Sequence, residues 1–332
     1  MTTSSGATEA RGDAQLTFVT VVFEPELGLL RLQARSMARF LDPECVAALI
    51  VLDNCAGGMP ARAQRSVRSA LGPVLGARVR FVRTAELGVL AQAQGWRSQQ
   101  AAKLLIARSV DTRHLVVLDA KNHLIAPAGA DAFVDGAGRP RGGTHPYRAH
   151  PLRADLERTL RYLGASDAVV EAALDDFPPT STPFVLDVEL ARAMLDDVEH
   201  GAGRSFAEEF ERAQLLEFFL YSGWSILRAG RAPVTGEPIP APIVWPGRAD
   251  VAGARAAIAE AERTGAAWFA VHRRVLARAD RAALALIVEF WSSRGLMSTR
   301  DGASFVRRFR AAFVPSMLRS RLAQRVASLR SR

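Results

Sequence analysis

The chain has 332 residues, 49% of them hydrophobic and 23% charged, with a formal net charge of +9. That length and balance suit one large core or two modest ones, and exclude a disordered, collagenous or purely coiled-coil chain. There is no run of 18 apolar residues, and residues 1–15 are polar without the apolar stretch of a secretory signal, so a cytosolic protein with a disordered start is expected. Cys45 and Cys55 are too few for a disulfide framework and fit no zinc spacing, which leaves them as buried packing residues.

From residue 16 onward, strands and helices alternate. LTFVTVVF (16–23) is a β-branched apolar run bounded by Pro25, and 27–40 has helical spacing. VAALIVLDN (46–54) is a second buried strand, followed by the turn-rich CAGGMP and a helix over 61–71. ARVRFVRT (77–84), a helix over 99–109 and HLVVLDA (114–120) complete the first half. Continuous apolar strands separated by helices predict an α/β fold with a mainly parallel sheet flanked by helices, whose ligands collect at the carboxyl ends of the strands. Residues 135–150, rich in Gly, Pro and Arg, read as a long loop, and 152–163 as a helix. FVLDVELARAML reads as a strand running into a helix, and 208–226 as one amphipathic helix carrying EFFLY. Five prolines extend 231–247; helices over 252–264 and 282–293 flank a short strand, AAWFAVH (266–272).

The charge is uneven. Residues 302–332 hold eight Arg and no acid, so the rest of the chain is nearly neutral. Phe305, Phe309, Phe313, Met317, Leu318, Leu322, Val326 and Leu329 recur there at helical spacing. Such a basic helical tail over 301–332 suits an anionic membrane surface, or else packs its apolar stripe on the body. Nucleic acid is disfavoured, since no stacking aromatics accompany a groove motif and the core is not basic. Of the 43 basic residues only Lys103 and Lys121 are lysines, and both lie in one 19-residue segment.

No GxGxxG, GxxxxGK[ST], GxSxG or HExxH pattern occurs. What carries chemistry is QQAAKLLIARSVDTRHLVVLDAKNHLI. Asp119 ends a buried strand, where a carboxylate is costly unless it meets a cation or a hydrogen-bonding ligand, and Lys121 and Asn122 follow it. Capping of the next turn is the plain alternative. Glu217 stands beside Phe218 and Phe219, an apolar setting that raises a carboxylate's proton affinity, and Tyr221 lies one turn on.

Trp96, Gln99, Gln100, Lys103 and Leu104, followed by a strand ending in Leu118 and Asp119, resemble the WxxQQxxKL helix and LDxD strand end of bacterial GT-A-type glycosyltransferase-like proteins. FEPEL with Ser36, the LDN of Asp53 and Asn54, and EFFLY are similar to the same group, over residues 16–272. The resemblance implies a GT-A-like (Rossmann-like) domain over 16–300, its nucleotide half at 16–130 and its acceptor half at 131–300. It implies transfer of a sugar from a nucleotide-sugar donor to a cell-surface polysaccharide or lipid-linked acceptor, and the basic tail is expected to hold the enzyme at the inner face of the cell membrane. In such enzymes the second acid of the motif helps hold a divalent cation on the diphosphate; here that place is Lys121, so a fixed ammonium group is expected to replace the metal. Alternatively Asp119, Asn122 and His123 hold Mg or Mn, or catalysis is lost and a binding or scaffold protein remains. Glu217 is the candidate general base. His272 and Arg273 are expected at the diphosphate, Asp53 and Asn54 at the nucleoside, Gln99, Gln100 and Lys103 along the donor, and His145, Arg148 and Tyr221 at the acceptor.

Overall fold

The computed structural model describes residues 15–89 and 96–330; the expected disorder of the start lies outside these residues. The first half forms β1 (Leu16–Val22), α1 (Leu27–Phe40), β2 (Val46–Asp53), α2 (Ala61–Ala77), β3 (Val79–Arg83), α3 (Trp96–Leu105) and β4 (His114–Asp119). A tight turn leads to β5 (Asn122–Leu124), and the chain continues through α4 (Arg153–Tyr162), α5 (Asp167–Asp175), β6 (Phe184–Asp187), α6 (Val188–Ala202), α7 (Phe206–Arg212) and α8 (Glu217–Leu227). Then come β7 (Ile243–Val244), α9 (Val251–Arg263), β8 (Trp268–Val271), α10 (Arg273–Arg278), α11 (Arg281–Ser293) and α12 (Thr299–Arg330).

The main sheet has the order β3-β2-β1-β4-β6, with the first four strands parallel and β6 antiparallel to β4. It is the mainly parallel, helix-flanked α/β fold that the apolar runs predict. Both faces are covered: Phe18, Val116 and Leu118 pack into one cluster with Trp268 and Trp291, while Val19, Leu115 and Val117 pack into another with Phe184 and Phe218. A small second sheet, β5-β8-β7, brings the late chain against the strand that follows β4.

Local chemistry moved several boundaries. The helix expected over 61–71 continues to Ala77 past a break at Gly72, whose φ of 71° is left-handed. The single helix expected over 208–226 is two: Gln214 has φ 54° and Leu216 is extended, so Glu217 opens a fresh helix. Periodicity continued across the break because α7 and α8 both bury apolar residues. α5, capped by the Ser166 hydroxyl, has no counterpart among the expected elements.

The C-terminal helix divides the expected stripe, its first part packing on the body, as one of the two readings has it. Val306, Phe309 and Phe313 are buried on the body, where α12 packs against α10, α11 and the turn Glu24–Glu26. A Cβ on Gly28 would lie 2.8 Å from the Phe309 ring, so the bare backbone lets the helices approach. Leu318 and Leu322 stay exposed; the side chains of Val326 and Leu329 lie outside those described. No helix of the described residues is long and apolar enough to cross a membrane.

Candidate functional site

The chain goes from β1 through β2 to β3 on one side of β1 and returns to β4 on the other, so the topological switch point lies between the carboxyl ends of β1 and β4. β1 runs out into Glu24–Glu26 and β4 into the turn carrying Asp119, Ala120 and Lys121. That turn is tightly held. Gln33 of α1 donates from Nε2 to the carbonyls of Asp119 (2.9 Å) and Asn122 (3.0 Å), and its Oε1 accepts from the Thr20 hydroxyl (2.9 Å). Asn122 accepts from the Asp119 N–H (2.9 Å) and the Thr182 hydroxyl (2.8 Å), and donates to the Thr182 carbonyl (3.0 Å).

Asp119 is the hub of a charged cluster. Its Oδ1 is 2.7 Å from the Lys103 Nζ, and its Oδ2 accepts from Lys121 and shares the one Thr182 hydroxyl proton with Asn122 Oδ1. Lys103, nearly buried, also reaches Glu217 at 3.3 Å and lies 5.6 Å from the centroid of the Phe218 ring, which stacks on Phe184. Lys121 lies 5.9 Å from the centroid of Trp245, which at 50% exposure is an open aromatic at the site. His272 is tilted against the same Trp245 ring at 5.9 Å. Arg273 pairs with Glu26 at 2.6 Å and lies over Phe23.

Burial opposes charge on Asp119, but Lys103 and Lys121 outweigh it and hold the carboxyl well below the ordinary carboxylate range. Burial likewise opposes charge on Lys103; Asp119 and Glu217 win and raise its pKa. Burial wins at Glu217, whose pKa is raised although Lys103 pulls it down, and at Glu26 in spite of Arg273. His272 is lowered to about 4, first by burial and then by Arg273 and Lys121, so it is neutral at pH 7.

The expected site residues thus divide. Lys103, Asp119, Lys121 and Glu217 meet, with His272 and Arg273 beside them. Asp53 does not offer itself to a nucleoside: its two oxygens accept from the Cys55 (2.9 Å) and Met59 (2.6 Å) N–H groups, shaping the loop after β2. Asn54 accepts from the Thr84 hydroxyl (2.9 Å). Gln99 is half-buried and Gln100 buried in α3; the side chain of Trp96 lies outside those described. Tyr221 is fully buried and accepts the Asp187 N–H (2.9 Å), so it braces β6 and cannot reach an acceptor. Arg148 is tied to Glu171 and Asp175 of α5, and the His145 ring lies tilted against Tyr147, centroids 4.2 Å apart. His272 caps α10, its Nδ1 accepting the Arg274 N–H (3.1 Å).

The alternative metal set does not converge. His123 points into the core, where its Nε2 accepts from the Trp291 indole (2.8 Å); Nδ1, 3.2 Å from the Lys121 carbonyl, therefore carries the proton. Asn122 Oδ1 is committed twice and Asp119 already meets two ammonium groups, and among the described residues no group of three His, Cys, Asp or Glu could hold a metal. These residues do not fit a divalent cation.

Gln33, Thr182, Glu26 and Trp245 escaped the sequence reading. Gln33 had a signal: it sits one turn from Leu29 and Met37 on the buried face of α1, where a polar side chain needs a partner. Glu26 stands among the apolar residues of FEPEL. Thr182 and Trp245 gave none.

Residues 30–231 match the model of a family of unknown function, DUF6492. The chain belongs to that family. The matched segment holds Lys103, Asp119, Lys121 and Glu217, whereas Trp245, His272, Arg273 and α12 lie beyond it. No curated protein matches the sequence. Among solved structures the chain is similar to the galactosyltransferase LgtC in complex with donor and acceptor sugar analogues, at 12% identity over 84% of this chain and 95% of that one, TM-score 0.49. It is also similar to the bifunctional glycosyltransferase WbbM (14% identity, 78% and 46% covered, TM-score 0.44) and to mouse xyloside xylosyltransferase 1 (11%, 70% and 88%, TM-score 0.41).

Proposed function

We propose that this protein is a glycosyltransferase that moves a sugar from a nucleotide-sugar donor to a glycan or lipid-linked acceptor without a metal ion. The observation that carries this reading is the pairing of Lys121 with the exposed Trp245 at the switch point of the parallel sheet. A cation and an open aromatic face at that crevice suit a diphosphate joined to flat or ring-shaped groups. Lys121 neutralises charge building on the leaving diphosphate, with Arg273 beside it. Asp119, held ionised, positions Lys121 and does not compete for protons. Glu217 is the carboxylate whose raised proton affinity suits it to take the proton of the acceptor hydroxyl.

The outer side of α12 supports attachment to an anionic membrane surface. Val314, Leu318 and Leu322 are exposed at four-residue spacing, with Arg310 and Arg321 exposed on the same helix. The membrane stripe is thus the outward one, not the phenylalanines that pack on the body.

Release of nucleoside diphosphate from a panel of nucleotide sugars tests the assignment. The wild type turns over at least one donor, and Glu217→Gln folds and binds it with turnover lower by roughly 10²–10⁴-fold. Unchanged turnover in that variant removes Glu217 from the reaction. A non-catalytic binding protein is the second reading, favoured by the full occupation of Asp119 by Lys103, Lys121 and Thr182; it predicts diphosphate binding with no turnover of any donor.

A further inference from the structure

A cavity of about 720 Å³ lies between α1, α2 and α12, away from Asp119. Its size is that of a small-molecule site. The floor is apolar: Leu32, Phe309 and Phe313 are buried there, with Leu27, Met297 and half-buried Phe305 around them. The rim is cationic. Arg31 and Arg35 lie one turn apart on α1, and Arg308 and Arg319 lie three turns apart on one face of α12, roughly 16 Å along the helix. All four are exposed and none forms an ion pair within 4 Å among the described residues, whereas most arginines around α4 to α7 do. Only Glu24 and Asp301 bring negative charge to the lining, and both are occupied: Glu24 accepts the Ala56 N–H (2.7 Å) and Asp301 the Ser298 hydroxyl (2.9 Å).

We propose that this groove binds a single-chain lipid phosphate, its hydrocarbon on the Phe309 and Phe313 floor and its phosphate between the arginines of α1 and α12. An oily trough beneath guanidinium groups complements an amphiphile with one anionic end. Phosphate suits it better than carboxylate, because several oxygens engage more than one planar fork at once. The groove starts at Glu24, and two residues on, Glu26 pairs with Arg273 in the candidate site, so a bound lipid would approach the switch point from the α12 side. Lipid binding in this groove does not depend on sugar transfer at the switch point.

Calorimetry with dodecyl phosphate below its critical micelle concentration tests it in the full chain, beside dodecyl maltoside, laurate, inorganic phosphate and vesicles of phosphatidylglycerol. Dodecyl phosphate binds, and the other soluble probes bind at least tenfold more weakly. Ala312→Trp, which fills the groove from an exposed lining position, and the double variant Arg35→Ala/Arg308→Ala each weaken dodecyl phosphate binding at least tenfold with unchanged melting temperature. Absence of binding, equal binding in either variant, or equal binding of dodecyl maltoside or laurate overturns the proposal. Vesicle binding lost in Ala312→Trp while the monomer fails to bind overturns it in favour of a bilayer surface.

Discussion

Two sets of cations flank the turn Glu24–Glu26, and the protein treats them differently. At the switch point Lys103, Lys121 and Arg273 each meet a carboxylate and are held in place before any ligand arrives. In the α12 groove Arg31, Arg35, Arg308 and Arg319 have no carboxylate partner among the described residues and face solvent. Internal pairing spends charge on fixing geometry, as a site for reacting atoms requires, whereas unpaired charge on a groove waits for an anion from outside.

The sharpest way to break this contrast is at Lys103. Lys103→Met leaves Asp119 and Glu217 facing each other without their shared cation, so urea denaturation should show a loss of about 3–5 kcal/mol. Removing a groove arginine such as Arg31 should leave stability unchanged. If both substitutions cost the same, the two regions do not differ as described.

Protonation separates the packed interior from the groove by a slightly smaller margin. His123 is held near 4 by burial, against its ordinary value near 6.5. Between those values the unfolded chain takes up a proton that the folded chain refuses, so stability falls as pH drops from 6.5 to 4, by up to about 3 kcal/mol. Denaturation midpoints across that range check it, and His123→Gln should flatten the slope in part, leaving the share of His272, which is lowered in the same direction. A slope unchanged in that variant would place the titration elsewhere. The smallest effect belongs to the outward stripe: Leu318→Ser and Leu322→Ser should each weaken cosedimentation with phosphatidylglycerol vesicles by about fivefold, roughly 1 kcal/mol, without touching diphosphate binding.

β1, β2 and β4 were legible because they are largely buried on both faces and read as nearly continuous apolar runs, whereas β3, at the sheet edge, carries Arg80 and Arg83 and was read from its shorter apolar pattern. Asp119 and Lys121 were legible because a carboxylate at a strand end and a scarce lysine stand together. Their partners were not, since Gln33 and Thr182 arrive from 86 and 63 residues away. Tyr221 shows the limit of helical spacing: one turn from Glu217 it shares a face, yet its hydroxyl runs inward to β6. Asp53 was misplaced for a similar reason, because a strand-end aspartate binds the next loop's N–H groups as readily as a ligand.

The central claim is that an ammonium group fixed on the protein supplies the countercharge a diphosphate needs. Calorimetric titration of UDP and GDP in EDTA measures it directly, on the wild type and on Lys121→Ala, a variant that keeps Lys103 and Thr182 on Asp119. At least one nucleotide binds in EDTA, and binds roughly 10–100-fold more weakly to the variant. No binding until Mn is added, with wild type and variant then alike, would contradict it.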